Sequence, residues 1–283
     1  AAGRRRSLST ATGPMETEPL LIRHDGDIAE LVLNRPGKRN AFTEAMWAGL
    51  PDLLDTLAER CRVLIVRGQG DHFASGADIS EFEEIYATRE RGEAYSASIA
   101  RALDALADFP HPTIAMIRGS CIGGGCGLAL ACDLRFADDT ARIAITPAKM
   151  GLLYPFNDTK RLVDAVGGSM AKDMLFSARQ LDAAEALGAG LLDRRFEPAR
   201  LEPETRAYCT RLLDMSPLSA TYTKKMISRV LEGQDHDTDE TRAWFANAFT
   251  SADFKEGYRA FLDKRKPDFS QGGADIHKGT DEP

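Results

Sequence analysis

The stretch Thr113-Ile-Ala-Met-Ile-Arg-Gly-Ser-Cys-Ile-Gly-Gly-Gly-Cys-Gly127, continued by LALACDL, decides the fold. Its first part, Thr113–Ile117, is short and mostly apolar, which predicts a buried strand. Five of the nine residues from Gly119 to Gly127 are glycine, so a tight turn separates this strand from an apolar helix predicted to begin near Gly124. The order strand, glycine turn, helix is typical of α/β proteins with a largely parallel sheet.

A second glycine-bearing turn, Phe73-Ala-Ser-Gly-Ala-Asp-Ile79, follows the predicted strand Arg62–Val66. Neither turn has the spacing of a P-loop or of a dinucleotide-binding G-x-G-x-x-G motif. Small residues let a ligand approach the backbone, and the first N–H groups of a helix have no partner inside it. If the two turns meet, two N–H groups can face one oxygen. That arrangement is an oxyanion hole, in which fixed donors stabilise a developing negative charge.

Length and composition set broad limits. The chain has 283 residues, with 43% hydrophobic and 28% charged residues and a net charge of −7. The acidic balance argues against a nucleic-acid partner, and the longest apolar runs are too short to cross a membrane. The five cysteines show no C-x-x-C spacing, so we expect buried free thiols in a reducing, cytoplasmic compartment. The histidines form no ligand pair, so no metal is expected.

The predicted elements divide the chain into unequal parts. Thr43 is a candidate N-cap for a first helix, Glu90–Phe109 is a long helix candidate, and the pattern from Asp158 to Lys266 is almost wholly helical. We predict an extension or expression remnant at 1–14, a core with the ligand site at 15–200, a helical region at 201–270 and a frayed tail at 271–283. Within this scheme Asp158 is expected to be a helix cap at the surface.

Several short motifs of this chain occur together, and in the same order, in one known family. They are Leu33-Asn-Arg-Pro36 with Asn40-Ala41, Phe73–Ile79, Gly119–Gly125, Ala131-Cys-Asp-Leu-Arg-Phe-Ala137, Ala183-Ala-Glu-Ala-Leu-Gly188 and Ala260-Phe-Leu-Asp-Lys-Arg-Lys-Pro267. On these motifs the chain resembles the enoyl-CoA hydratase/isomerase (crotonase) superfamily, from about residue 18 to residue 270. The resemblance implies an α/β fold: a spiral of ββα repeats with a helical C-terminal region used in trimerisation.

The resemblance also implies a ligand and a set of site residues. The ligand would be an acyl-CoA thioester, with coenzyme A as part of the substrate and no separate bound cofactor. The oxyanion-hole N–H groups would belong to Ala77 and Gly124. Family relatives commonly form homotrimers or dimers of trimers. The residues expected to approach coenzyme A are Lys38, Arg39, Ser75, Asp78, Ile79, Ser80 and Lys264. For the cationic residues, solvated surface charge is an equally good interpretation.

The chain departs from the hydratases of this family at two positions. Hydratases use two glutamates, and the corresponding positions here are Gly127 and Ala148, which follows Pro147. Water addition needs a base to activate water and an acid to protonate the α-carbon, and neither glycine nor alanine can act as either. The sequence therefore argues against ordinary hydratase activity, although the expected reaction remains lyase or isomerase chemistry on an acyl-CoA.

Three functions remain open. The segment Thr146–Tyr154 resembles the methylmalonyl-CoA decarboxylase branch, in which a tyrosine follows the proline by seven residues, as Tyr154 follows Pro147. Such a tyrosine can hydrogen-bond a substrate carboxylate or deliver a proton to an enolate. Against this branch, Ala77 stands where the branch has a histidine. Isomerisation of an enoyl-CoA is a second function, and acyl-CoA binding with weak catalysis is the third.

Overall fold

The structure is a computed structural model that describes residues 18–269. The predicted regions 1–14 and 271–283 lie outside these residues. Residues 15–17 of the predicted core and residue 270 of the predicted helical region lie outside them too. The described part is a mixed α/β fold with nine strands and ten α-helices. The strands are β1 Leu20–Asp25, β2 Ile28–Leu33, β3 Val63–Gly68, β4 Thr113–Ile117, β5 Ser120–Ile122, β6 Leu134–Asp138, β7 Arg142–Ala144, β8 Leu181–Asp182 and β9 Arg194–Phe196.

The helices fall into two groups along the chain. Those of the first group alternate with strands; they are α1 Glu44–Ala58, α2 Phe82–Ile85, α3 Arg89–Ala107, α4 Gly124–Ala131, α5 Phe156–Ser177 and α6 Ala183–Gly188. Those of the second group follow the last strand; they are α7 Leu201–Leu213, α8 Pro217–Leu231, α9 Asp239–Ala248 and α10 Ala252–Leu262. The predicted helical stretch from Asp158 to Lys266 is thus wrong in part, because it contains β8 and β9.

The larger sheet has the strand order β1-β2-β3-β4-β6-β9, and all its pairs except the antiparallel β1–β2 hairpin are parallel. Its strands β2, β3 and β4 are almost completely buried, as expected for a parallel sheet covered on both faces. The smaller sheet has the order β5-β7-β8. The chain passes from the larger sheet to the smaller one between β4 and β5, immediately before the glycine-rich turn.

Local sequence explains the first and the central helix. The Thr43 hydroxyl accepts a hydrogen bond from the Met46 N–H, so Thr43 is the N-cap of α1, as predicted. Helix α4 is buried from Gly125 to Ala131 and packs between α3 and α5. Because it is apolar on every side, it belongs in a core rather than on a surface. All five cysteines are buried and unpaired, which confirms the prediction of free thiols.

Candidate active site

The backbone from Phe73 to Asp78 is held along both of its edges. On one edge, Ala74 pairs with Cys121 of β5, with its N–H donating to the Ser120 carbonyl at 2.9 Å. On the other edge, the Phe42 N–H donates to the Gly76 carbonyl and the Asp78 N–H donates to the Phe42 carbonyl. Since successive residues of an extended chain point their N–H groups to opposite edges, the Ala77 N–H points away from Phe42. It makes no backbone hydrogen bond within residues 18–269.

Gly76 allows this segment to approach the second turn. Its φ is +95°, a region that side chains with a Cβ disfavour. A Cβ built on Gly76 would lie 2.9 Å from the Ile122 carbonyl oxygen and 3.4 Å from the Gly124 nitrogen. The backbone of one turn therefore rests directly against the backbone of the other, and glycine is the residue that permits it.

The Gly124 N–H belongs to the first residue of α4. The turn before it is fixed by the Gly123 N–H, which donates to the Ala144 carbonyl at 2.8 Å. As the first helical residue, Gly124 has no carbonyl partner inside the helix, and its N–H lies at the positive end of the helix dipole. Like Ala77, Gly124 is partly accessible rather than buried.

The two turns therefore present two unengaged N–H groups side by side. A Cβ built on Gly124 would lie 3.8 Å from the Ala77 nitrogen and 3.1 Å from the Cζ2 atom of Trp47. Two donors and a helix N-terminus aimed at one point can stabilise an oxyanion such as a thioester enolate. The structure thus brings together Ala77 and Gly124, the pair that the sequence singled out.

Beyond the hole, Gly127 leaves a gap that a tyrosine faces. Gly124 and Gly127 are three residues apart and lie on the same face of α4. A Cβ built on Gly127 would lie 3.3 Å from the Tyr154 hydroxyl. That hydroxyl is buried and has no hydrogen-bond partner in the described part of the chain. Burial raises the pKa of Tyr154 well above its usual value, so the group stays protonated.

Asp158 lies beside the same gap, contrary to its predicted role. Its side chain does not cap α5, because the N-cap is Pro155 and Asp158 is the third helical residue. It is only 6% exposed, and its Oδ2 atom lies 3.9 Å from the Cβ position of Gly127. Burial raises the pKa of Asp158, while the Arg161 guanidinium opposes the shift. The one signal in the sequence was the spacing of three residues to Arg161, which does not reveal the direction of the side chain.

A second buried polar group lies near the hole. Trp47 packs its ring against Gly124 and stacks on Phe42, with ring centroids 4.2 Å apart. Its indole N–H lies beside the Tyr95 hydroxyl without reaching hydrogen-bond geometry. Buried polar groups without partners are uncommon in folded proteins. Trp47 and Tyr154 place two of them around the candidate site.

Three of the residues predicted to approach coenzyme A lie together. Lys38 and Arg39 are exposed in the loop after β2, and their carbonyls hold Ser75. The Ser75 N–H donates to the Arg39 carbonyl at 2.9 Å, and the Ser75 hydroxyl donates to the Lys38 carbonyl at 3.2 Å. The backbone of both cationic residues is therefore hydrogen-bonded to the segment that carries Ala77.

Asp78, Ile79 and Ser80 differ in what the structure assigns to them. Asp78 is buried and bonded internally: its carboxylate accepts from the Ser80 hydroxyl at 2.6 Å and from Arg35 at 2.8 Å. These contacts, with the Ser80 hydrogen bond the larger, lower the pKa of Asp78 to about 2. Ile79 is 68% exposed and Ser80 is exposed. Asp78 therefore shapes the turn, while Ile79 and Ser80 present surface beside it.

Lys264 lies far along the chain from the other predicted ligand-binding residues, and in the described part of the chain no hydrogen bond or ion pair joins it to them. It lies just after α10 and is exposed, with its backbone N–H donating to the Phe261 carbonyl. Its neighbour Lys266 pairs with Asp214 at 2.6 Å, at the end of α7. Among residues 18–269, no cluster of three His, Cys, Asp or Glu side chains could hold a metal ion, and no helix is long and apolar enough to span a bilayer.

A mixed α/β core in which two glycine-bearing turns present two backbone N–H groups to one point has the fold and the site geometry that the resemblance implies for acyl-thioester proteins. The sequence model of the enoyl-CoA hydratase/isomerase family matches residues 23–272. The chain belongs to this family.

Individual relatives agree with that assignment. A crotonyl-CoA hydratase of Syntrophomonas wolfei is 32% identical over 264 residues, which cover 90% of this chain and 99% of the relative. A short-chain-enoyl-CoA hydratase of Clostridium acetobutylicum is 30% identical over 260 residues, 89% of this chain and 97% of the relative. The crystal structure of an enoyl-CoA hydratase/isomerase family protein from Hyphomonas neptunium superposes with a TM-score of 0.88 at 42% identity, covering 90% of this chain and 99% of that one.

Proposed function

We propose that this family member converts an acyl-CoA thioester through an enolate whose oxygen is held by the N–H groups of Ala77 and Gly124. An acyl-CoA ligand follows from the family. The enolate is supported by the two donors and the dipole of α4, which act where charge develops rather than on the neutral thioester. Negative charge moves onto the thioester oxygen as the α-carbon loses a substituent, so each donor strengthens its bond in the transition state.

The reaction we propose is not hydration with two glutamates. The resemblance places those glutamates at Gly127, which is buried in α4, and at Ala148, which is exposed in the short 3₁₀ turn Pro147–Met150. Two of the relatives named above are hydratases by name, and the third is a hydratase/isomerase family protein. Because this chain has no carboxylate at either position, it lacks the base that the resemblance implies for hydration, so we expect slow or absent hydration of crotonyl-CoA.

The single observation that carries the proposal is the Tyr154 hydroxyl. It is buried, has no hydrogen-bond partner among residues 18–269 and is directed at the gap beside Gly127, on the face of α4 that begins with Gly124. A protonated hydroxyl at this point can hydrogen-bond a substrate group or donate a proton to an enolate carbon. Isomerisation of a 3-enoyl thioester fits this arrangement when the hydroxyl hydrogen-bonds the substrate and a separate base moves the proton from one carbon to another, because a phenol that stays protonated cannot remove the first proton.

Decarboxylation of a malonyl-type thioester is the second candidate. It is favoured by the spacing of Tyr154 from Pro147 and by the absence of carboxylates at Gly127 and Ala148, because loss of CO₂ supplies the electron pair without a base. Asp158 weighs against it. A substrate carboxylate beside Gly127 would approach the Asp158 carboxyl group, and like charges at short range disfavour binding.

A panel of three thioesters separates these functions. Crotonyl-, methylmalonyl- and 3-enoyl-CoA are given to the pure protein and to Tyr154→Phe, with coenzyme A affinity measured in parallel. We expect turnover of the 3-enoyl substrate, reduced by about 10²-fold in the variant with affinity retained. Rapid hydration of crotonyl-CoA would contradict the proposal. Turnover of methylmalonyl-CoA alone would favour the decarboxylase, and binding without any turnover would favour an acyl-CoA-binding protein.

We propose that Lys38 and Arg39 contact the phosphates of coenzyme A. Both are exposed and are tied through Ser75 to the oxyanion hole. Charge reversal at Lys38 should weaken coenzyme A binding in a salt-dependent way. Lys264 is a third candidate, and it would have to reach the ligand from the C-terminal helices.

We also propose a homotrimer or dimer of trimers in the cytoplasm. The supporting observation is a row of exposed aromatic side chains on α9 and α10, of which Phe261 is 82% exposed. Apolar patches of this kind mark interaction surfaces. Light scattering of the wild type and of Phe261→Glu measures the assembly; a monomeric wild type would contradict the proposal.

A further inference from the structure

Asp158 places a carboxyl group where this chain lacks the glutamate of its relatives. It comes from a different element, α5 rather than α4, and its Oδ2 atom lies 3.9 Å from the point where a Cβ on Gly127 would lie. The Tyr154 hydroxyl lies 3.3 Å from the same point. A phenol and a carboxyl group therefore face one small space beside α4. Because Gly124 and Gly127 share a face of α4, an acyl chain leaving the oxyanion hole along that face would pass this space.

The two oxygens of Asp158 have different surroundings. Oδ1 accepts a hydrogen bond from Nη1 of Arg161 at 3.1 Å, and Nη2 of the same guanidinium binds Asp104 at 2.5 Å. Oδ2, which faces Gly127, has no hydrogen bond to another group of the described chain. One oxygen is thus anchored while the other is directed at the gap. An anchored carboxylate with one free oxygen is the geometry that a general base requires.

The Arg161 guanidinium, which Asp158 shares with Asp104, also affects the pKa of Asp158. Arg161 faces Asp158 from one turn further along α5, and Asp104 faces the pair from α3. Two carboxylates divide one positive charge, so Arg161 only partly offsets the burial of Asp158. The direction of the resulting pKa shift is upward, which makes the Asp158 carboxylate a stronger base than an exposed aspartate.

A purely structural role is the competing interpretation. An acidic residue in the first turn of a helix interacts favourably with the helix dipole, and a pair three residues apart stabilises a helix. That role needs Asp158 to face the solvent or Arg161 only. It does not account for an oxygen directed at Gly127, so the experiment must separate chemistry from helix stability.

We propose that Asp158 is the general base and acid of this site, taking a proton from the acyl chain and returning it to another carbon. This inference rests on the proposed enolate function. In the first step a C–H bond breaks, an O–H bond forms at Oδ2, and the electron pair passes into the enolate held by Ala77 and Gly124. In the second step the proton on Oδ2, or a deuteron that has replaced it from the solvent, forms the new C–H bond and Asp158 is again a carboxylate. The substrate class is a thioester with an uncharged acyl chain.

Hydrogen–deuterium exchange at the acyl chain tests this role directly. Butyryl-CoA and a 3-enoyl-CoA are incubated in D₂O with the wild type, Asp158→Asn and the matched control Asp164→Asn, which removes an exposed aspartate of the same helix that pairs with Lys160. We expect exchange and isomerisation to fall by about 10²-fold or more in Asp158→Asn, and to stay within about threefold in Asp164→Asn. Affinity for coenzyme A should be retained in both variants.

A carboxyl group introduced at position 127, on the other side of the gap, distinguishes a chemical role of Asp158 from a structural one. In the Asp158→Asn background, Gly127→Glu should restore part of the exchange, whereas Gly127→Gln should not. A purely structural role predicts no difference between these two double variants.

The pH profile gives a measure that does not depend on the variant folding. The wild-type rate should rise along a limb with an apparent pKa above about 4, the ordinary value for aspartate. Two results would overturn the role of Asp158 and leave the enolate function standing. One is a wild-type pH profile without such a limb, and the other is an exchange rate in folded Asp158→Asn within about threefold of the wild-type rate. A wild type that binds thioesters but exchanges no proton overturns the enolate function as well.

Discussion

Two glycines of one helix, Gly125 and Gly127, should respond differently to the same substitution: Gly125→Ala should destabilise the protein and Gly127→Ala should leave its stability nearly unchanged. Changing either to alanine improves the helix propensity of α4 by about 1 kcal/mol, so this contribution cancels in the comparison. What differs is the neighbour of the added methyl group. At Gly125 the Cβ would lie 2.5 Å from the Ala74 carbonyl oxygen and 2.8 Å from the Ala74 Cβ. At Gly127 the nearest atoms, at 3.3 and 3.4 Å, are the ends of the Tyr154 and Leu103 side chains.

The backbone at Ala74 cannot move freely, because its carbonyl oxygen accepts the Ile122 N–H at 2.9 Å. We expect Gly125→Ala to cost about 2–4 kcal/mol from overpacking, offset by about 1 kcal/mol of propensity. Gly127→Ala requires side-chain shifts of only a few tenths of an ångström, so its stability should stay within about 1 kcal/mol of the wild type. The two variants should therefore differ by about 2–3 kcal/mol, or very roughly 5–10 °C in Tm for a chain of this size.

Urea unfolding followed by circular dichroism, at one protein concentration, measures this difference. A lower midpoint for Gly125→Ala with an unchanged slope supports the assigned contacts. Equal midpoints would refute the close approach of α4 to Ala74. A Gly127→Ala variant less stable than Gly125→Ala would refute the open position assigned to residue 127.

Two further predictions concern pH. The pKa of Asp78 is lowered to about 2, so its contribution to stability is present above about pH 4 and is lost as the pH falls toward 2. Asp78→Asn should therefore lower the free energy of unfolding by roughly 1–2 kcal/mol at pH 7. The difference between this variant and the wild type should shrink as the pH falls from about 4 to 2. The pKa of Asp158 is raised, so its contribution is complete below about pH 4 and declines as the pH rises through the raised value. The stability of Asp158→Asn relative to wild type should therefore increase with pH above about 4, and urea titrations that show the reverse slope would contradict the burial of Asp158.

The sequence predicts those elements whose signals are local. Thr43 caps α1, and β4 has the predicted bounds Thr113–Ile117. Strands β8 and β9 are missed because they have only two and three residues, too few to show a period of two. Their pairing with β7 and β6 comes from contacts distant in sequence. Short strands of this kind are set by the sheet that receives them, not by their own composition.

The same distinction between local sequence signals and long-range contacts applies to the candidate site. Ala77 and Gly124 are recognisable because each stands in a small-residue turn after a strand, and the structure adds the bridge from Ala74 to Cys121 that brings them together. Asp158 carries no such signal. A helix with polar residues in its first turn can present any of them inward, and only the packing of α5 against α4 selects the one that faces Gly127.

Gly127 connects the packing of α4 with the chemistry proposed here. A glutamate at this position would start from a Cβ within 3.4 Å of both Tyr154 and Leu103, so the tyrosine hydroxyl and a long acidic side chain compete for the same volume. Glycine leaves that volume to Tyr154 and to the carboxyl group of Asp158. Glycine at the position where the resemblance places a glutamate therefore does not by itself exclude catalysis, because the Asp158 carboxyl group and the Tyr154 hydroxyl lie beside the proposed oxyanion hole. They approach from α5 and the segment before it, so they would reach other carbons of the acyl chain than a side chain at position 127 would.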